Sequence, residues 1–414
     1  MQKKNQILLL MCVSMVIGYL PWYNFSAVLR YISQEFKLTS SDTGTIIACF
    51  QAGYVLIVLI TGWLADKIGP KRVVMYATLL TGIFATSFVF VVTDKWTVMI
   101  MRLLTGCACG AIYAPGMALL ANWFPPNERG GALGAYTAAL TAASAGGYFV
   151  AGPIAAEAGW RTGMLWTSVP VFAAFLIILF FVQDKPAETA KQFDGPQCAP
   201  DGGYGGSALI TSSYMGHMWE LYAFWAWIGP FMVACATASG MDTKEAVRLG
   251  GLLAACITLA GAPAVWIMGK IADKLGRTRA IVLCALASLV PEFFFGYLLG
   301  GPMAVVVIVG LWIGFWVISD SAIYKAGLTE MCASRIRTTM LGIQSAVGFS
   351  MTIIAPIVFG KVLQAYNTGI ANPTEAVHWG PAFIVLGVGA LVAPLMAMFL
   401  RRHPQAELMC AGKK

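Results

Sequence analysis

Gly62-Trp63-Leu64-Ala65-Asp66-Lys67-Ile68-Gly69-Pro70-Lys71-Arg72 returns as Gly269-Lys270-Ile271-Ala272-Asp273-Lys274-Leu275-Gly276-Arg277-Thr278-Arg279. Gly62 and Gly269, Asp66 and Asp273, Gly69 and Gly276, and Arg72 and Arg279 are all offset by 207 residues, half of the 414-residue chain. Each copy closes one long apolar stretch and opens the next. A short charged turn with glycines, repeated once per half, points to two homologous bundles of membrane helices.

Composition agrees with that reading. The chain is 58% hydrophobic and 11% charged, with a mean hydropathy of +0.74, against about 25% charged residues in soluble domains. Twelve apolar runs reach the length of a membrane-spanning helix: 7–29, 43–64, 73–93, 97–122, 130–152, 163–182, 208–236, 246–268, 280–299, 303–325, 337–360 and 381–400. They are numbered here as spans 1 to 12. The first follows Lys3 and Lys4, as a secretory leader would, but it runs on to Val28 and is too long for one. The expected fold is all-α and integral to the membrane, with twelve helices in two pseudo-symmetric six-helix bundles, 1–182 and 207–414. The stretch 183–206 breaks the apolar pattern with Asp184, Lys185, Glu188, Lys191 and Gly202-Gly203-Tyr204-Gly205-Gly206, and reads as a flexible cytoplasmic linker.

Orientation follows from the basic residues. With the N-terminus in the cytoplasm, 18 Lys and Arg fall on the cytoplasmic side and 7 outside, leaving Arg102 and Lys325 within or at the edge of spans. Both termini are therefore expected inside. The net charge of +8 then faces the anionic inner leaflet, and no nucleic-acid partner is needed to explain it. The ten cysteines form no CxxC pair and the histidines number three, so no metal site is expected.

A second repeat supports the duplication: Arg129-Gly130-Gly131-Ala132-Leu133-Gly134 opens span 5, and Arg337-Thr338-Thr339-Met340-Leu341-Gly342 opens span 11. On these residues the chain resembles the major facilitator superfamily. The Gly62–Arg72 loop is similar to that family's G-x-L-A-D-x-x-G-x-[RK]-[RK] loop between helices 2 and 3. Arg102-Leu103-Leu104-Thr105-Gly106 with Gly110 resembles its helix-4 motif, and Gly159-Trp160-Arg161 is another family feature. The resemblance covers essentially the whole chain. It implies alternating access of two bundles, with no cofactor, in a multi-pass bacterial-type inner-membrane monomer that takes a small-molecule substrate and protons or another coupling ion. It does not name the substrate. One motif departs: the glycine-rich helix 5 of drug/proton antiporters is broken here by Tyr148 ahead of Gly152-Pro153, which favours uptake over export. The texture of spans 1 to 5 resembles the branch that imports small metabolites and organic anions.

The expected gating loop comprises Gly62, Asp66, Gly69 and Arg72 with Asp273, Gly276 and Arg277. Gly62 and Asp66 share a helix face, where glycine admits a close neighbour and the acid meets a helix N-terminus or a base such as Arg129. The alternative is a topology signal alone. Charges within the spans are costly and point to function. Arg102 is either a coupling or anion-binding group or a structural bond to neighbouring carbonyls. His217 and Glu220 share a face of span 7 and form a candidate proton-coupling pair, or else a packing pair. Trp312, Trp316 and Asp320 recur at four-residue spacing in span 10 and would line a cavity, unless Lys325 neutralises Asp320. Glu292 in span 9 reads as internal packing or an outer-mouth residue. Tyr23 and Asn24 follow the helix-breaking Pro21 and are candidate ligand contacts or an aromatic belt; Gln51 and Gln344 are lone polar residues at matching depth.

Two other readings stand beside uptake: a proton/drug antiporter, and a non-transporting sensor on the same fold. A sensor normally carries a signalling domain, and no stretch here reads as one. ATP-driven transport finds no GxxxxGK[ST] loop, and an intramembrane enzyme finds no clustered ligands or nucleophile–base pair beyond His217 and Glu220.

Overall fold

The computed structural model describes residues 2–124, 126–184, 204–332 and 337–413. Most of the expected linker lies outside the described residues, as do the side chains of Asp66, Arg129 and Arg337.

Twelve helical spans are present. Span 1 is Lys3–Tyr19, Asn24–Ala27 and Leu29–Phe36; span 2 is Ser40–Ile68; span 3 is Pro70–Val91; span 4 is Lys95–Gly110 and Tyr113–Trp123; span 5 is Pro126–Ala158; span 6 is Trp160–Ser168 and Val171–Phe181. Span 7 is Gly205–Ala238; span 8 is Thr243–Leu259 and Gly261–Leu275; span 9 is Arg277–Phe295; span 10 is Met303–Trp316 and Ser321–Met331; span 11 is Arg337–Tyr366; span 12 is Gly380–Ala390 and Val392–Arg402. Eleven of them are long and apolar enough to cross a membrane unaided. Span 1 is the exception. Pro21 removes a backbone donor, so the helix stops at Tyr19 and restarts at Asn24.

The duplicated loop is duplicated in its backbone. Gly69 (φ 89°, ψ 143°) caps span 2 and Gly276 (φ 97°, ψ 151°) caps span 8. Both lie where a side chain would be strained, and the next helix begins at once with Pro70 or Arg277.

Spans 1 to 6 pack on one another, as do spans 7 to 12. The bundles meet along two seams, span 2 against span 11 and span 5 against span 8. Apolar side chains such as Phe90, Phe180 and Ile308 cover the outside, as a lipid-facing surface requires.

Among the described residues, the closest backbone approaches across the seams lie at the end away from the termini. There Gly44 lies against the backbone of Pro356 and Gly360, and a Cβ on Gly152 would stand 3.1 Å from Gly251 Cα. Such contacts hold helices together where no hydrophobic drive exists. The same end carries cross-bundle polar contacts: Arg30–Glu375 at 2.8 Å, Lys244–Glu157 at 2.6 Å, and Ser40 N donating to Gln364 Oε1 at 3.0 Å. At the termini end the bonds of Lys71, Arg277 and Lys4 stay within one bundle, to Leu179 O, Glu330 and Glu128 respectively. Gly62, Gly131, Gly134, Gly269 and Gly342 have open space where a Cβ would stand. The close approach expected at Gly62 is therefore not made in this conformation.

Candidate functional site

The break in span 1 builds the centre of the molecule. A helix interrupted at residues 20–23 leaves carbonyls without helical partners. Arg102, on span 4, fills that need: its guanidinium donates to Pro21 O at 3.0 Å and Trp22 O at 2.8 Å, and lies 4.3 Å from the Phe50 ring centre. Only 4% of Arg102 is exposed. Of its two readings, the geometry supports the structural one.

Held in this way, Trp22 and Tyr23 face the second bundle. Trp22 packs against Tyr54 at 4.8 Å and Tyr222 at 6.0 Å; Tyr23 meets Tyr148 at 5.8 Å and Trp225 at 6.1 Å. Phe349 closes the group from span 11, 5.5 Å from Tyr54. Tyr148 Oη donates across the interface to Trp225 O at 2.6 Å. Several buried polar atoms in and beside this aromatic seam have no partner: Trp22 Nε1, Tyr23 Oη, Trp225 Nε1, Gln51 Oε1 and Gln344 Oε1. Orphaned donors and acceptors among aromatic walls are what a site for a small polar ligand presents.

A second cluster sits inside the second bundle. Asp320 is 2% exposed and its Oδ1 lies 2.9 Å from His217 Nδ1; His217 Nε2 is 2.7 Å from Ser321 Oγ. Glu220 is 2% exposed and Glu292 fully buried. Glu220 Oε1 and both oxygens of Glu292 lack partners.

Several expectations on site residues change. Asn24 does not face the seam: it donates to Thr167 Oγ1 of span 6 at 2.9 Å, inside the first bundle. His217 pairs with Asp320 and not with Glu220. Trp312 lies on the outer surface, 52% exposed, bonded to Ala287 O of span 9. Its four-residue spacing to Asp320 fails because the helix ends at Trp316 and residues 317–320 form a turn; Trp316 contacts Trp312 and Phe315. Lys325 does not neutralise Asp320 but donates to Ser345 Oγ at 2.9 Å. Glu292 is internal, not at a mouth. In the gating loop, Arg72 is exposed and Asp273 pairs with Arg277 at 2.7 Å, while Arg277 also grips Glu330 at 2.7 Å. The reading of the sequence missed Tyr54, Tyr148 and Phe349 as site residues. Tyr148 was visible as a departure from a glycine motif; a large aromatic in a run of Ala and Gly was the signal.

Two six-helix bundles around a buried polar seam define a polytopic membrane transporter. The family model for the Major Facilitator Superfamily matches residues 11–243, and the chain belongs to that superfamily; it is a transporter of this fold and not an enzyme. It is similar to a probable sulfoacetate transporter, SauU, of Cupriavidus necator (24% identity, 94% of this chain and 93% of the relative) and to a hexuronate transporter of Bacillus subtilis (23%, 95% and 96%). Among solved structures it resembles a bacterial homologue of the human lysosomal transporter Spinster in an inward-facing and occupied conformation. That match has a TM-score of 0.78 at 13% identity, covering 97% of this chain and 98% of the other. A D-xylose–proton symporter gives 0.74 at 16% identity, covering 97% and 99%.

Proposed function

We propose that the protein takes up a small organic acid by alternating access, driven by protons, with the aromatic seam as the substrate site and Glu220 as the lead coupling residue. The support for coupling is the closed-off pair of Glu220 and Glu292, three of whose oxygens lack partners. Buried carboxyls without partners are a place where a proton is held and released. The support for an organic acid is the similarity to carriers of sulfoacetate and hexuronate along nearly the whole chain. The excess of basic residues supports a reading with both termini in the cytoplasm of a bacterial inner membrane and 183–206 as a linker between the halves. The bundles then part on the cytoplasmic side, and this conformation is inward-facing.

The test uses proteoliposomes with an imposed pH gradient and radiolabelled glucuronate and sulfoacetate. Wild type accumulates one of them; Glu220→Gln loses accumulation but keeps exchange across the membrane. Glu292→Gln gives the same uncoupled behaviour, and the double variant is no worse, because the two act as one unit. A Glu220→Gln protein that still concentrates substrate against its gradient overturns the assignment.

A further inference from the structure

Arg102 and Lys325 are the two basic residues of the spans that lie away from the cluster of charges at the membrane ends. Their situations are opposite. Arg102 is sealed against backbone carbonyls and two aromatic rings. Lys325 sits on the second segment of span 10, Ser321–Met331, which continues six residues beyond the apolar run that suggested it. Lys325 therefore lies within the helix and not at its end. Lys325 Nζ donates to Ser345 Oγ of span 11 at 2.9 Å and lies 4.4 Å from the ring centre of Tyr214 on span 7. No carboxylate among the described residues lies within ion-pair distance of it: Asp320 is taken by His217, and Glu330 by Arg277.

An ammonium in low dielectric without a counter-charge is costly. One hydroxyl and one ring face satisfy part of it and leave N–H donors over. Its position is also the right one for a ligand. Lys325 is only partly buried, as is Ser345. Tyr214, beneath the ammonium, lies on the same helix as Tyr222 of the seam. The ammonium thus keeps a partly exposed position between spans 7, 10 and 11. Gln344, next to Ser345, has a buried carbonyl oxygen without a partner.

We infer that Lys325 is the anion-binding group of the transporter, seating the carboxylate or sulfonate of a small organic acid whose uncharged body lies against Tyr214 and Tyr222. This rests on the organic-acid reading above. It assigns the negative charge of the substrate to span 10, and leaves Arg102 outside the binding site. The substrate supplies the counter-charge that the protein lacks, so the empty site holds an uncompensated cation and the loaded site does not.

The test is a thermal-shift and tryptophan-fluorescence titration of the purified full chain with glucuronate, gluconate, malonate and 2-hydroxyethanesulfonate, and with glucose as an uncharged control. Wild type binds at least one acid and not glucose. Lys325→Met weakens binding of that acid about 10- to 100-fold, the range of one charge-assisted contact, and Lys325→Arg restores it to within a few-fold. Without ligand, Lys325→Met melts no lower than wild type, which a structural lysine would not allow. Should that variant not accumulate folded, Lys325→Gln decides by the same titration. An acid bound as tightly by Lys325→Met or Lys325→Gln as by wild type overturns the inference and leaves the organic-acid reading standing. If glucose binds and none of the acids does, that reading falls, and the inference with it.

Discussion

His217 Nδ1 lies 2.9 Å from Asp320 Oδ1 while its Nε2 faces Ser321 Oγ at 2.7 Å, so both ring nitrogens are committed to span 10. The contact ties the inner helix of the second bundle to the turn where span 10 is broken. It also fixes the ring: Nδ1 carries the hydrogen that the carboxylate accepts, and Nε2 meets the serine hydroxyl.

Removing one partner of a buried pair strands the other, at a cost of about 3–5 kcal/mol, whereas replacing both by apolar groups is often near neutral. Asp320→Ala is therefore expected to lower the melting temperature of the detergent-solubilised protein sharply, and His217→Leu with Asp320→Leu to recover much of the loss. Strictly additive losses would show that the two residues do not stabilise each other.

The glycine seams set which conformation is populated. A Cβ on Gly44 would run into the Pro356 carbonyl, and one on Gly360 into Ser40 O. Overpacking of this kind costs about 1–3 kcal/mol. Because the clash exists only while that end is closed, Gly44→Ala or Gly360→Ala should shift the population toward the opposite state about 5- to 100-fold. Spin labels at Ser41 and Lys361 would read this as a longer distance across the seam. An unchanged distance distribution would mean that the seam yields by small local shifts.

The fold was legible because membrane helices need long apolar runs, and the repeated loop gave their arrangement. The dihedral angles of Gly69 and Gly276 are the physical content of that repeat. The sites were less legible, for reasons of geometry. His217 and Glu220 share a helix face in sequence, but which neighbour each meets depends on spans 9 and 10. Asp320 left the stripe of Trp312 and Trp316 because a turn intervenes, and periodicity counts residues as though the helix were whole. Pro21 marked the break in span 1 correctly, and one reading of Arg102 had it bonding neighbouring carbonyls, but nothing in sequence showed that these would be the carbonyls freed in span 1, 81 residues earlier. Lys325 looked like a charge at a helix end until the helix proved longer.

The Gly159-Trp160-Arg161 motif has a local purpose. Trp160 Nε1 donates to Glu35 Oε2 at 2.7 Å, and Arg161 bonds both carboxylate oxygens, so the start of span 6 clamps the end of span 1. The Arg161 hydrogen bonds hold the Glu35 carboxyl below its ordinary range. A lowered carboxyl contributes stability above the unfolded value of about 4.3 and loses it as pH falls through the folded value. The pair is well exposed, so its contribution is under about 1 kcal/mol. Arg161→Met should melt slightly below wild type by a constant margin from pH 6 to 8, and the margin should begin to close below about pH 4.3 and vanish as pH falls through the lower folded value. A margin that persists in acid would assign the effect to packing of Arg161 on Trp160.

Arg102 offers the clearest separation of scaffold from site. Its two donors reach carbonyls of adjacent residues, Pro21 and Trp22, and a rigid planar fork matches that pair better than an ammonium does. Arg102→Lys keeps the charge but leaves one buried carbonyl unpaired, at about 1–3 kcal/mol; Arg102→Leu leaves both. Melting temperature should therefore fall in the order wild type, Lys, Leu, with yield following it. Folded Arg102→Lys protein should bind whichever organic acid the wild type binds within a few-fold of wild-type affinity, because the guanidinium is occupied by the Pro21 and Trp22 carbonyls. The opposite pattern, an unchanged melt with binding lost, would move the anion site from Lys325 on span 10 to Arg102 on span 4.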